Sequence, residues 1–127
     1  MNYYFAKPTA LAFDDALVRV TDELKKEGFG VLTEIDVKET LKKKLNVDFR
    51  RYKILGACNP PFAYQALQAE EHIGLMLPCN IIVQEKNEGV EIAAIDPLAS
   101  MAGVKNDRLL GIANEVRHKL ERVIQNL

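Results

Sequence analysis

Residues 79–95 read CNIIVQEKNEGVEIAAI, and this stretch sets the architecture of the chain. Its two ends are rich in apolar and β-branched residues, and the polar segment Lys86–Gly89 between them has the composition of a turn. The pattern predicts a β-hairpin with a central strand at Cys79–Glu85 and a return strand at Val90–Ile95. The rest of the chain supplies further strands and helices on both sides of this hairpin.

Strands and helices alternate around the hairpin in the predicted order β-α-β-α-β-α-β-β-α. An aromatic strand at residues 3–6, closed by Pro8, is followed by a helix with apolar residues at three- and four-residue spacing. Strands at 29–36 and 51–57 each lead into a short helix that begins at a capping residue, Asp36 or Asn59. Four residues of the second strand are predicted to share one face: Phe29, Val31, Thr33 and Ile35. The last helix carries a continuous apolar stripe: Leu109, Ile112, Ala113, Val116, Leu120, Val123, Ile124 and Leu127.

Length and composition are typical of one folded domain. The chain has 127 residues, of which 48% are hydrophobic and 28% are charged, and its formal net charge is −1. This charge gives no general attraction to nucleic acid or to an anionic membrane. No apolar run approaches the ~20 residues that span a bilayer, and the first residues lack a secretory signal pattern. We therefore expect one cytoplasmic domain over residues 1–127, with its cysteines reduced.

The only two cysteines have a similar local context, because each lies directly before an asparagine and within two residues of a proline. If Asn59 caps a helix that starts at Pro60, the Cys58 sulfur lies near the positive end of that helix, where unsatisfied N–H groups favour a thiolate. Cys79 precedes Asn80 at the start of a predicted strand. The sequence therefore predicts a ligand site at Cys58, Asn59, Cys79 and Asn80. The alternative is that both cysteines are buried packing residues.

Two thiols with additional ligands would suit zinc or monovalent copper. His72 and Glu71 are the candidates to complete such a site, with Met76 and Met101 as further sulfur donors. No Cys-x-x-Cys or His-x-x-x-His pair occurs, so the spacing is not that of a structural zinc motif. The predicted metal set comes from separate segments: Cys58, Cys79, His72 and Glu71.

Signatures of catalysis and of nucleic-acid binding are lacking. The chain has no phosphate-binding glycine loop and no Gly-x-Ser-x-Gly elbow. An enzyme with Cys58 as nucleophile would need His72 as base, and nothing in the sequence orients that histidine. The lysines of segment 38–53 are typical of a solvated helix face, and His118 falls off the apolar stripe of the last helix, which places it toward solvent.

Several segments carry a resemblance to a known family: Lys53-Ile54-Leu55-Gly56-Ala57-Cys58-Asn59-Pro60, Ala63–Leu67, Gly74–Val83, Phe13-Asp14-Asp15-Ala16 and Ile95-Asp96-Pro97. Together they resemble a small family of bacterial and archaeal proteins known as domain of unknown function 302, over nearly the whole chain. The resemblance implies an α+β fold of the TATA-binding-protein-like kind. This is a two-layer α/β sandwich with a mainly antiparallel sheet, helices on one face and the order β-α-β4-α. It implies no activity and no catalytic residues.

Two functional hypotheses follow. In the first, the domain is a binding protein, expected to be a homodimer, that holds a soft metal ion or a small thiol-reactive ligand near Cys58 and Cys79. In the second, it is a structural or interaction module in which the cysteines only pack and the apolar segment Gly74–Pro78 contacts a partner. Neither hypothesis involves a membrane or nucleic acid.

Overall fold

One five-stranded antiparallel sheet is the framework of the computed structural model, which describes residues 2–127. The strands are β1 (Tyr4–Thr9), β2 (Gly30–Asp36), β3 (Tyr52–Cys58), β4 (Cys79–Lys86) and β5 (Gly89–Ile95). They lie side by side in the order β1-β5-β4-β3-β2, so the predicted hairpin of β4 and β5 is at the centre. The helices are α1 (Phe13–Lys26), α2 (Val37–Leu45), α3 (Pro60–Ala69), α4 (Pro97–Ser100) and α5 (Asp107–Gln125), and a 3₁₀ helix spans Glu71–Met76. None of the helices within residues 2–127 has both the length and the apolar character needed to cross a membrane.

The two long helices, α1 and α5, cover one face of the sheet. Alternate strand residues point toward them, as in the cross-strand pairs Leu55–Ile81 and Val83–Ile92. Apolar residues of both helices complete this core: Phe13, Ala16, Val20, Leu24, Val116, Leu120, Val123 and Ile124. The α+β sandwich that the family resemblance implies is confirmed.

We call the side of the sheet that faces away from α1 and α5 the open face. The register of the four strand pairs places one row of side chains straight across it: Ile35, Ile54, Ile82, Ala93 and Ala6. A neighbouring row contains Tyr52, Gln84 and Glu91. The open face is therefore apolar along its middle and polar toward one end.

A bulge in β2 breaks the alternation that the sequence suggests. Val31 opposes Ala57, whereas Thr33 opposes Gly56, so Leu32 is an extra residue between two registers. Val31 therefore lies on the helix-covered side and Thr33 on the open face. The prediction that these two residues share a face was wrong, because period-2 alternation takes no account of an inserted residue.

Strand β1 continues past the proline that was predicted to close it. Pro8 lies within the strand, opposite Glu91 of β5. Because β1 is at the edge of the sheet, some of its N–H groups have no strand to pair with, and a proline can occupy such a position. The prediction of a strand over residues 3–6 was therefore too short.

Candidate ligand-binding site

A pocket of about 270 Å³ lies where β3 runs into α3 and where β4 begins. Its wall is almost entirely apolar, and both cysteines are part of it. The larger apolar side chains of the wall are Phe29, Leu32, Phe62, Leu67, Leu77, Met101, Ile112 and Val116. None of the residues that line this pocket, which we call the thiol pocket, carries a charged side chain.

Strand pairing explains how two distant cysteines reach one wall. Cys79, the first residue of β4, lies beside β3, where its Cα partner is Ala57. Cys58 follows Ala57 and is the last residue of β3. Strict alternation would place Cys58 on the other side of the sheet from Ala57, but the strand ends there, and Cys58 lines the pocket together with Ala57 and Cys79.

The two thiols differ in their surroundings. Cys79 is only 8% exposed and belongs to the main core, whereas Cys58 is half-buried. Burial, together with the nearby Cys58, raises the pKa of the Cys79 thiol to about 11. Cys79 is therefore a neutral thiol at physiological pH, and Cys58 is the more accessible of the two sulfur atoms.

The start of α3 does not offer the N–H donors that the sequence suggested. Its first two residues are Pro60 and Pro61, and neither has a backbone N–H. Asn59 occupies the N-cap position, but its side chain makes no capping hydrogen bond. Two of the N–H donors that would favour a thiolate at Cys58 are therefore missing.

The Asn59 side chain instead ties α3 to the end of α1. Its Nδ2 atom donates a 3.0 Å hydrogen bond to the backbone oxygen of Glu27, and the residue is 8% exposed. The next residue, Gly28, has φ of +87°, and a Cβ there would lie 3.2 Å from Asn59 Nδ2. Asn59 therefore holds one side of the thiol pocket in place.

A sequence profile described as domain of unknown function DUF302 matches residues 5–127. The chain belongs to the DUF302 family. Its fold is shared by a protein described as the uncharacterized conserved protein DUF302 from Bacillus stearothermophilus, whose crystal structure superposes with a TM-score of 0.90 at 27% sequence identity. The match covers 97% of this chain and 96% of that one. No curated protein is significantly similar to the chain. The predicted membership of the family is confirmed.

In this DUF302 domain the other predicted site residues lie apart from the thiol pocket. Asn80 is exposed and lines a depression on the open face instead. His72 and Glu71 are in the 3₁₀ helix, where their side chains are 75% and 86% exposed, and neither lines the thiol pocket. Within residues 2–127, histidine, cysteine, aspartate and glutamate side chains form no group of three or more that could hold a metal ion.

Several residues of the pocket wall have no signal in the sequence. Leu32 is the bulged residue of β2. It lines the pocket because of a register shift in the strand, and no local sequence pattern predicts that shift. Phe62 and Ile112 lie in helical apolar patterns that predict core positions rather than a cavity. Met101 was singled out as a sulfur donor, and it does line the wall of the thiol pocket.

Proposed function

We propose that this DUF302 domain binds a small, uncharged, apolar molecule in the thiol pocket. The observation that carries the proposal is a cavity of about 270 Å³ whose lining residues are nearly all apolar and include no charged side chain. Pockets for drug-sized ligands have volumes of ~300–1,000 Å³ and a mainly hydrophobic lining with a few polar groups. The thiol pocket lies just below that range, which favours a small ligand.

The surroundings of the pocket favour a neutral ligand over an anion. Lys119 is a cationic group beside Phe62, with its Nζ 5.9 Å from the ring centroid, and it ion-pairs with Glu27 at 3.9 Å. Arg122 also donates a hydrogen bond to Glu27 and holds the pKa of that carboxyl below its usual range. A carboxylate in the pocket would lose its hydration without gaining a cation or an N–H donor from Pro60 and Pro61.

The position of Cys58 extends the proposal to ligands that react with thiols. An α,β-unsaturated ketone can accept the Cys58 sulfur at its β-carbon. One carbon–sulfur bond then forms, and the thiol proton is delivered to the α-carbon through the solvent, so no other reactant is needed. The apolar wall would hold the chain of such a ketone beside the half-buried thiol.

A pair of ligands and a pair of variants test reversible binding. We expect 2-nonanone to raise the melting temperature, because a ligand that binds only the native state stabilises it, and nonanoate, of equal length but charged, to have no effect. Ala63 lines the pocket and Gln68 does not, although both belong to α3. Ala63→Leu should remove the response to 2-nonanone, and Gln68→Leu should keep it. An equal shift with nonanoate, or an unchanged response in Ala63→Leu, would contradict the proposal.

Monovalent copper is a second candidate, favoured by one observation. Three sulfur-bearing side chains line the thiol pocket: Cys58, Cys79 and Met101. Thiolate and thioether ligands select monovalent copper, whereas structural zinc is held by four ligands. Copper binding would require the Cys79 thiol to lose its proton, and the raised pKa of this thiol opposes that loss. If copper is bound, competition with a chelator should show weaker binding in Met101→Leu but not in Met76→Leu, the matched change outside the pocket.

A further inference from the structure

We propose that the open face binds a second copy of this chain, related to the first by a two-fold axis that lies between the two sheets and runs parallel to β4. The sheet order β1-β5-β4-β3-β2 has β4 at its centre. This axis would place β4 against the partner's β4, β3 against the partner's β5 and β2 against the partner's β1. The proposal is independent of what the thiol pocket binds.

The apolar row across the open face is complementary to itself under this operation. Three isoleucines occupy β2, β3 and β4, and two alanines occupy β5 and β1 in the same row. The axis would bring Ile54 over the partner's Ala93 and Ile35 over the partner's Ala6, while Ile82 meets the partner's Ile82. Large side chains therefore oppose small ones, which lets two sheets interdigitate at the usual spacing of ~10 Å. Aligned sheets are rotated by ~30° relative to each other, so β4 would be inclined slightly to the axis. The contacts nearest the centre of the row, Ile82 with Ile82 and Ile54 with Ala93, would be displaced least.

The charges at the polar end of the open face have the same complementarity. Arg50 Nε donates to Gln84 Oε1 at 3.0 Å, and Gln84 Nε2 donates to Glu91 Oε1 at 2.9 Å. This chain of hydrogen bonds starts just before β3, crosses β4 and ends on β5. Because the axis exchanges β3 with β5, Tyr52 would lie over the partner's Glu91. Arg50 is two residues before Tyr52 and its guanidinium lies beside the Tyr52 ring, so it would point toward the same carboxylate of the partner.

Two lysines of like charge would approach each other across the interface, and ion pairs within each chain offset their repulsion. Lys86, at the end of β4, would come near the partner's Lys86. Its Nζ lies 3.3 Å from Glu88 and 3.5 Å from Glu91, so each ammonium brings two carboxylates with it. This contact is at the rim of the face, where charges contribute little to affinity.

The size and exposure of the face suit an interface. Five strands at ~4.8 Å spacing, each rising ~3.4 Å per residue, present a face roughly 20 to 25 Å on a side. Side chains standing off the sheet enlarge its accessible area toward the ~800 Å² that one partner gives to a standard interface. Apolar groups remain accessible on it, since Tyr4 is 40% and Ile35 is 49% exposed. Monomeric proteins rarely leave such contiguous apolar patches open.

Association state gives the first test. We expect the wild-type chain to be a dimer by light scattering at micromolar concentration, and Ile82→Glu to be a monomer, because two carboxylates would be buried on the axis. Val18→Glu is the matched change on α1, at a residue that is 62% exposed, and it should remain a dimer. A monomeric wild-type chain, or a dimeric Ile82→Glu with a native circular dichroism spectrum, would overturn the proposal.

A charge exchange tests the orientation of the axis. Arg50→Glu alone and Glu91→Arg alone each bring like charges together across the interface, so each should dissociate at least tenfold more readily than wild type. Mixing the two variants should produce a heterodimer in native mass spectrometry, because opposite charges then meet at both contacts. Lys25→Glu on α1 and Glu115→Arg on α5 make the same charge changes on the helices that cover the opposite side of the sheet, and these variants should stay homodimeric and mix statistically. Failure of the Arg50→Glu and Glu91→Arg mixture to pair preferentially would overturn the proposed axis.

Discussion

The two Cys-Asn segments share a dipeptide and have nearly opposite environments. At the end of β3, Cys58 is half-buried, while Asn59 is 8% exposed and bonded to the end of α1. At the start of β4 the order is reversed, since Cys79 is 8% exposed and Asn80 is exposed on the open face. A strand turns neighbouring side chains to opposite sides, whereas a strand end releases the chain from that rule. A shared dipeptide therefore does not define a shared site.

The largest expected difference between the two segments is in thiol reactivity. Burial raises the pKa of the Cys79 thiol from 9.0 to about 11 and keeps it protonated at neutral pH, whereas Cys58 is half-buried and more accessible to a reagent. Intact-mass measurements with iodoacetamide or 3-nonen-2-one should therefore show one adduct on the native protein, at Cys58. Cys58→Ser should leave the native protein unlabelled, and Cys79→Ala should label as wild type does. Equal labelling of both thiols in the native state would remove the distinction between them.

The pH dependence of stability should sharpen the comparison at Cys79. Its pKa is raised from 9.0 to about 11, so both the folded and unfolded thiols are protonated below pH 9. As the pH rises above 9 the unfolded thiol ionises first, and the folded state loses stability, by up to roughly 2–3 kcal/mol once the pH has passed 11. Other groups titrate in this range, so the measured quantity is the difference between wild type and Cys79→Ala in urea unfolding. Parallel pH profiles for the two proteins would show that burial does not hold the Cys79 proton.

The smallest expected effect separates the two asparagines. Asn59→Ala removes the hydrogen bond to the Glu27 carbonyl at a buried position, and we expect it to lower the free energy of unfolding by about 1–2 kcal/mol. Asn80→Ala changes an exposed side chain and should stay within about 0.5 kcal/mol. Urea denaturation at neutral pH measures both. Equal losses would mean that Asn59 does not brace the pocket wall as its contact indicates.

Much of the fold could be predicted from the sequence, because the spacing of apolar residues along the chain indicates which side of a helix or strand is buried. The stripe of α5 and the apolar hairpin of β4 and β5 both follow from residue spacing, and the family resemblance supplied the layer arrangement. The candidate site was less accessible to such reasoning. The thiol pocket depends on where β3 ends, on the bulge at Leu32 and on helices brought together by the core. None of these is a property of a short segment, so the apolar character of the cavity and the separation of Asn80 from it required the structure.

The bulge at Leu32 has a consequence for how the chain avoids misassembly. β2 is an edge strand, and a regular edge exposes N–H and C=O groups that can recruit a strand from another molecule. An inserted residue bends the strand and interrupts the even spacing of those groups. The same irregularity that brings Leu32 to the pocket wall therefore protects this edge against fibril-like growth.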